Sequence, residues 1–379
     1  METETQRVNV LVYGLGAIGS FYAFILHRTH RVRLTVVARS NYEAVVKNGI
    51  YIDSANHGQH RFHPDLAVKS PSEVTHPYHY VICANKAIDQ DAVAAQLAPA
   101  VDNNTTFVII QNGVGNEEPF RRAFPACSIL TCVTWVGATQ TSPGVITHIK
   151  SEDLQIGLFP NPSVEASVEN SRLEEFTSFL TAGGTKFQVV GDMQLPRWEK
   201  VVWNAAWNSI TALTMVNTQT WLTSSVEATP LTRRLMGEVI AVARGCGVNL
   251  DEGLVDRLMD KINALPGIGS SMQVDCRNER PMEIEVILGV PLRRAKELGI
   301  DTPQRTEGDV QGQNSLFPQF DLVQEDFVLS EPHESHLGMQ ACANSRVLAP
   351  EAGAELVKAL CETVEMFASK LDMALSRPL

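Results

Sequence analysis

The amino-acid sequence predicts an α/β fold for the first half of the chain, a doubly wound parallel sheet, followed by an all-α C-terminal domain. Three observations carry this expectation. The apolar run VNVLVY, from Val8, leads straight into Gly14-x-Gly16-x-x-Gly19. Strand-like and helix-like segments then alternate as far as Val190, which is the pattern of βαβ units with parallel strands. From Leu195 onward the apolar spacing turns helical with little strand signal, which sets a domain boundary near Gly191.

Val8, Val10, Leu11, Val12 and Tyr13 supply the branched and aromatic bulk of a strand covered on both faces. In the turn Gly14-Leu15-Gly16-Ala17-Ile18-Gly19 the first glycine permits a tight reversal. The second lets a pyrophosphate approach the backbone, and the third lets the next helix sit against the strand. That helix, expected over 20–30, would aim its first amides at the phosphates. A strand over 32–38 completes the βαβ unit, and the six turn residues then form a Rossmann-type dinucleotide site. An NAD site carries a carboxylate at the end of this second strand, where it would repel a 2′-phosphate. Arg39 stands there, followed by Ser40 and Asn41. A guanidinium pairs with phosphate through two parallel hydrogen bonds, so NADPH is the expected cofactor. The competing reading leaves Arg39 as a solvated side chain.

With 379 residues the chain is long enough for two domains with buried cores. A net charge of −12, a pI near 5.3 and the lack of a dense Lys/Arg run argue against nucleic acid as a partner. The opening METETQRVNV has no basic or apolar signal stretch, and no window reaches membrane-spanning length. Seven cysteines, at 83, 127, 132, 246, 276, 342 and 361, lack CxxC spacing and read as reduced thiols. The expected location is cytoplasmic, with no membrane partner.

After Arg39 a short helix is expected over 42–48, then a hairpin over 50–68 carrying His57, His60 and His63. Residues three apart on a strand face opposite sides, and no Cys or carboxylate cluster joins them. No metal is expected there, and the three are read as exposed turn residues. Strands over 80–84 and 106–110 flank a helix over 90–97; they end in Asn85-Lys86 and Gln111-Asn112-Gly113. Polar groups directly after parallel strands lie at the carboxyl edge of the sheet, so Lys86 and Asn112 are placed to meet ribose or nicotinamide. Strands over 128–137, 144–148, 153–156 and 187–190, with a helix over 168–182, complete the first domain, 1–191. The second, 192–302, has helices over 196–216, 231–246, 254–265 and 281–298, the last stopped by Gly299 and Pro303. Residues 303–348 mix Gln, Asp, Pro and Gly without a period and read as an irregular, poorly ordered insertion. A terminal amphipathic helix is expected within 349–379, packing back on the helical domain.

Lys200, Asn204 and Asn208 recur every four residues and fall within about 80° of helical arc. Their neighbours are apolar nearly all round, so the helix is expected to be buried, and a buried lysine without a partner tends toward a pKa useful for proton transfer. The alternative is a solvated polar stripe. Glu283, behind Pro281, reads locally as ordinary helix-start chemistry.

Over residues 8 to 303 the chain resembles the ketopantoate reductase (2-dehydropantoate 2-reductase) family. The matching pieces are GLGAIGS, Arg39, Lys86 after YVICAN, QNGVG at 111–115, WEKVVWNAAWNSITAL at 198–213, SSM at 270–272 and MEIEVILG at 282–289. Their order, with the twelve-residue interval from Ser271 to Glu283, makes the likeness specific. The resemblance implies a Rossmann domain, a 6-phosphogluconate-dehydrogenase-like helical domain, and a 2-oxo acid bound between them. It implies Lys200 as general acid and Glu283 as the group that positions substrate and lysine. It also implies Ser271 on the carboxylate, Asn204 and Asn208 on other substrate polar groups, and Lys86 and Asn112 on the cofactor side. Hydride transfer builds negative charge on the ketone oxygen, which an ammonium stabilises and then protonates. The expected reaction is NADPH-dependent reduction of ketopantoate to (R)-pantoate, toward pantothenate. The alternatives are 2-ketoisovalerate giving D-2-hydroxyisovalerate for depsipeptide synthesis and, from another class, a non-catalytic NADPH sensor. A homodimer is left open. A further substrate-binding Asn of some members has only Asn217 nearby in this sequence. The family also passes from Thr302-Pro303 directly into its last helix, whereas here 303–348 intervene, as an elaboration or a gene-model artefact.

Overall fold

Alternation along one apolar strand sets up the first domain. In chain order, β1 (Val8–Tyr13), α1 (Ala17–His27), β2 (Val32–Val37) and α2 (Tyr42–Asn48) precede β3 (Ile50–Ser54), β4 (Gly58–Phe62) and β5 (Leu66–Val68). Next come β6 (Tyr80–Cys83), α3 (Gln90–Leu97), β7 (Thr106–Ile110), α4 (Glu117–Ala123) and β8 (Ser128–Thr134). Then follow β9 (Ala138–Ser142), β10 (Val145–His148), β11 (Leu154–Leu158), α5 (Ala166–Gly183) and β12 (Gln188–Val189). Val10 and Val12 pack with Phe21, Phe24 and Ile25 of α1. Leu11 and Tyr13 point the other way, into a cluster with Val93 and Leu97 of α3 and Phe120 of α4. A strand whose two faces meet two different cores must be apolar on both, as this one is from Val10 to Tyr13.

The computed structural model describes residues 7–300; the insertion expected over 303–348 and the helix expected within 349–379 lie outside them. The chain divides into two compact units between Lys200 and Val201. In the first, eight strands form one sheet in the order β12-β11-β8-β7-β6-β1-β2-β5. The strands from β5 to β8 run parallel and β11 runs antiparallel to β8. Winding therefore proceeds from β1 toward β5 on one side and restarts at β6 on the other.

Several expectations change. The helix after the glycines begins at Ala17, inside the turn, with Gly16 as its N-cap. Residues 50–68 are not one hairpin: β3 and β4 pair, but β5 leaves them to lie parallel to β2. A second sheet, β4-β3-β10-β9, includes the polar strand β9, which carries no apolar alternation to announce it. His57 is not an exposed turn residue. Its side chain is 9% exposed and pairs with the nearly buried carboxylate of Glu152 at 3.0 Å.

The second unit is helical. α6 (Gln194–Thr214) runs through the division between the units. It is followed by α7 (Thr218–Leu222), α8 (Ala228–Gly245), α9 (Leu254–Asn263) and α10 (Ser271–Arg277). Every residue of α6 from Val201 to Ala212 is buried, as its apolar sequence predicts. The short helices α7 and α10 escape the periodicity reading because neither exceeds two turns, and each is capped by a side chain, Asn217 and Ser270 respectively. The helix expected over 281–298 starts later, at Ile284. It opens with a π-helical turn, Glu285–Gly289, and continues as α11 (Val290–Glu297). Among the described residues no helix is long and apolar enough to cross a membrane.

Candidate active site

Because β1, β6, β7 and β8 are parallel, their carboxyl ends share one edge of the sheet. Gly14, Asn85, Gln111 and the Thr134–Trp135 step follow them there. Winding reverses between β1 and β6, the place where such sheets open a ligand crevice. Gly14 has φ +96°, and a Cβ there would lie 2.3 Å from the backbone nitrogen of Asn85. A Cβ at Gly19 would lie 2.0 Å from the carbonyl oxygen of Gly14. At Gly16 a Cβ would meet none of the described atoms within 4 Å. Two glycines are thus demanded by the fold, and the middle one leaves open space above the first turn of α1. That turn has no acidic residue and no side-chain cap among the described residues, so its amides suit a phosphate.

Hydrogen bonds set the loops around this crevice. Asn41 Nδ2 donates to the carbonyl of Leu15 at 2.7 Å, tying the segment after Arg39 to the glycine turn. Arg39 is exposed, with no carboxylate beside it in sequence. Gln111 Nε2 donates to the carbonyl of Asn85 at 3.0 Å, and Gln90 Nε2 donates to Gln111 Oε1 at 2.6 Å. Lys86 is exposed and Asn112 half-buried, its carbonyl accepting from Asn116 Nδ2 at 2.7 Å.

Lys200 is half-buried. Its Nζ donates to the carbonyl of Thr134 and lies 4.9 Å from the centre of the Trp135 ring. The ammonium therefore sits at the carboxyl edge, three strand spacings, or about 14 Å, along from the end of β1. The expectation of a lysine without a partner is corrected: a backbone carbonyl and an aromatic face receive the charge. Thr134 also shares a 2.8 Å hydrogen bond with the Tyr22 hydroxyl of α1. Asn204 and Asn208 are 6% and 4% exposed, and their amide nitrogens have no hydrogen-bond partner among the described residues. Trp207 Nε1 is a third buried donor in that condition, and the helical period puts Trp207 on the same arc as Lys200. Buried polar groups are rarely left unpaired, so three on one helix face suit a polar ligand.

Glu283 is 5% exposed and immediately precedes Ile284, just outside the helix whose first turn it was expected to hold. Ser271 is exposed and opens α10, while its neighbour Ser270 serves as the cap, accepting from Gln273 N at 3.0 Å. Asn217 caps α7, its Oδ1 accepting from Thr220 N at 2.9 Å. Sequence reasoning passed over Arg197 and Glu117. Both are 1% exposed, and they form an ion pair at 2.7 Å between the first turns of α6 and α4. An arginine just ahead of the almost wholly apolar stretch of α6 was the available signal.

An α/β domain with an open glycine turn, followed by a helical domain, is the architecture of a dinucleotide-linked oxidoreductase. The sequence matches the model of ketopantoate reductase PanE/ApbA over residues 10–161 and that of its C-terminal domain over residues 192–306. The chain belongs to the ketopantoate reductase PanE/ApbA family, a family of 2-oxo acid reductases. It is similar to 2-dehydropantoate 2-reductase from Methylococcus capsulatus, whose crystal structure is 32% identical with a TM-score of 0.69, over 78% of this chain and 93% of that one. The 2-dehydropantoate 2-reductase of Nostoc sp. is 25% identical over 297 residues, 77% of this chain and 90% of its own. D-mandelate dehydrogenase, solved with NADH and anilino(oxo)acetate, shares the fold at 16% identity, with a TM-score of 0.73 over 96% of this chain and 99% of that one.

Proposed function

We propose that this chain reduces a 2-oxo acid to a D-2-hydroxy acid with NADPH, and that ketopantoate, giving (R)-pantoate, is the substrate. The observation that supports this most is the ammonium of Lys200 at the Thr134 carbonyl, on the same sheet edge as the glycine turn. When bound, NADPH supplies the hydride that goes to the carbonyl carbon. The first turn of α1 and the open space at Gly16 receive the pyrophosphate, and Arg39 receives the 2′-phosphate. Lys86 and Asn112 hold the nicotinamide end. Lys200 stabilises the growing charge on the ketone oxygen and donates the proton that completes the alcohol. Asn204 and Asn208, whose amide nitrogens have no hydrogen-bond partner among the described residues, donate to substrate oxygens, Ser271 holds the carboxylate, and Glu283 orients Lys200 and substrate.

One observation keeps 2-ketoisovalerate as a second reading. Asn217, the candidate for reading the extra hydroxyl of ketopantoate, has its side-chain oxygen occupied as a helix cap. A site that bonds that hydroxyl rejects the analogue lacking it strongly. The test is NADPH oxidation by purified protein with the two acids compared side by side, repeated with Lys200→Ala. Ketopantoate is expected to be the better substrate by kcat/KM. The variant is expected to bind NADPH normally while kcat drops about 10²- to 10⁴-fold. Unchanged turnover in Lys200→Ala would remove the proton-donor role.

A further inference from the structure

We propose that Arg197 is a positioning residue for this reduction, holding Lys200 and Asn112 in register through one buried guanidinium; the proposal rests on the reading above. Arg197 occupies the first turn of α6, three residues before Lys200. Its Nε meets Glu117 Oε1 at 2.7 Å and donates to Thr131 Oγ1 at 2.6 Å. The Thr131 hydroxyl in turn donates to Glu117 Oε1. One terminal nitrogen of Arg197 donates to the carbonyls of Gln111 at 3.2 Å and Gly113 at 2.9 Å, the residues on either side of Asn112. The other reaches the carbonyl of Ile109, on β7, at 3.5 Å. Thr131 lies on β8, three residues before Thr134, whose carbonyl accepts from Lys200.

A single planar cation therefore joins the start of α6, the loop that presents Asn112 and the strand that receives the Lys200 ammonium. A buried ion pair is by itself weak evidence for stability. Replacing a buried ion pair by apolar residues of similar volume is often neutral or stabilising. What an apolar pair cannot do is fix orientation: the rigid fork of Arg specifies angles that neither Met nor the point charge of Lys reproduces. Both groups that it aligns carry roles in the proposed reaction, one on the cofactor side and one at the ketone oxygen. A displacement of about 1 Å between such groups costs on the order of 10²-fold in rate.

The test uses the full-length protein in four forms: wild type, Lys200→Ala, Arg197→Lys, and the double variant Arg197→Met with Glu117→Gln, which leaves no buried charge unpaired. Thermal melting, NADPH affinity, kcat, KM and the pH profile of kcat are measured for each. The double variant is expected to melt close to wild type and to bind NADPH within about threefold. Its kcat is expected to fall about 10²-fold, with a displaced pH profile because the surroundings of Lys200 have changed. Arg197→Lys restores the charge opposite Glu117 but not kcat. Wild-type kcat in either variant overturns the proposal, as does a kcat loss that only tracks the unfolded fraction. If the double variant fails to fold, Arg197→Lys decides by the same two criteria. Failure of the underlying reading looks different: wild type without 2-oxo acid reduction, or Lys200→Ala fully active.

Discussion

Three glycines in one turn do three separate jobs. Gly19→Ala would force a methyl against the Gly14 carbonyl, where a Cβ would lie 2.0 Å from the oxygen. It is expected to destabilise the protein by about 1–3 kcal/mol or more, the overpacking range, read as a lower melting temperature. Gly16→Ala meets open space, so the melting temperature should hold while NADPH affinity falls in a titration. If both variants melt like wild type and bind NADPH like wild type, the turn is not a phosphate cradle. Arg39 tests a different contact. Arg39→Ala is expected to weaken NADPH far more than NADH if, as proposed, this one side chain meets the 2′-phosphate; equal losses for both would argue for a solvated arginine.

Whole elements carry the next set of effects. On α6, Asn204 and Asn208 bury amide nitrogens without partners among the described residues, at a cost of about 1–3 kcal/mol each. Asn204→Leu is therefore expected to leave the melting temperature unchanged or raise it, while kcat/KM falls at least about tenfold. Lower stability with unchanged kinetics would show that the side chain is structural. A second case lies where the β3–β4 hairpin meets the segment after β10. Burial alone would push the Glu152 carboxyl up, yet hydrogen bonds from Asn56, Thr185 and His57 hold it below the ordinary carboxylate range. A carboxyl depressed in the folded state stabilises fully above that range, and the stabilisation is lost as the pH falls through and below it. Urea midpoints between about pH 7 and about pH 3 should therefore drop on acidification, and less steeply in Glu152→Gln. These two elements also mark the limits of sequence reading. The apolar run of α6 and its polar stripe were visible because helical period is local. His57 looked like a turn residue because Glu152, its partner, is 95 positions away.

For the molecule as a whole, a ligand that binds only the folded chain adds stability by mass action. NADPH at about one hundred times its Kd is expected to add about 2.7 kcal/mol, seen as a raised melting temperature. Lys200→Ala should keep that shift, since the proposed role of the lysine is toward substrate rather than cofactor binding. Loss of the shift in that variant would move Lys200 from catalysis to cofactor binding.

Taken by itself, the amino-acid sequence determined the alternating β and α segments of the first half, the glycine turn, the helical second half and the residue types offered to a cofactor and an oxo acid. Periodicity and turn chemistry act over a few residues, so they can be read without a fold. Tertiary structure alone decided that β5 leaves its hairpin for the main sheet, that the Lys200 ammonium ends on the Thr134 carbonyl, and that Arg197 meets Glu117 beneath the Asn112 loop. Each of those joins residues far apart along the chain. Their meeting depends on which strands lie side by side, and no local pattern encodes that.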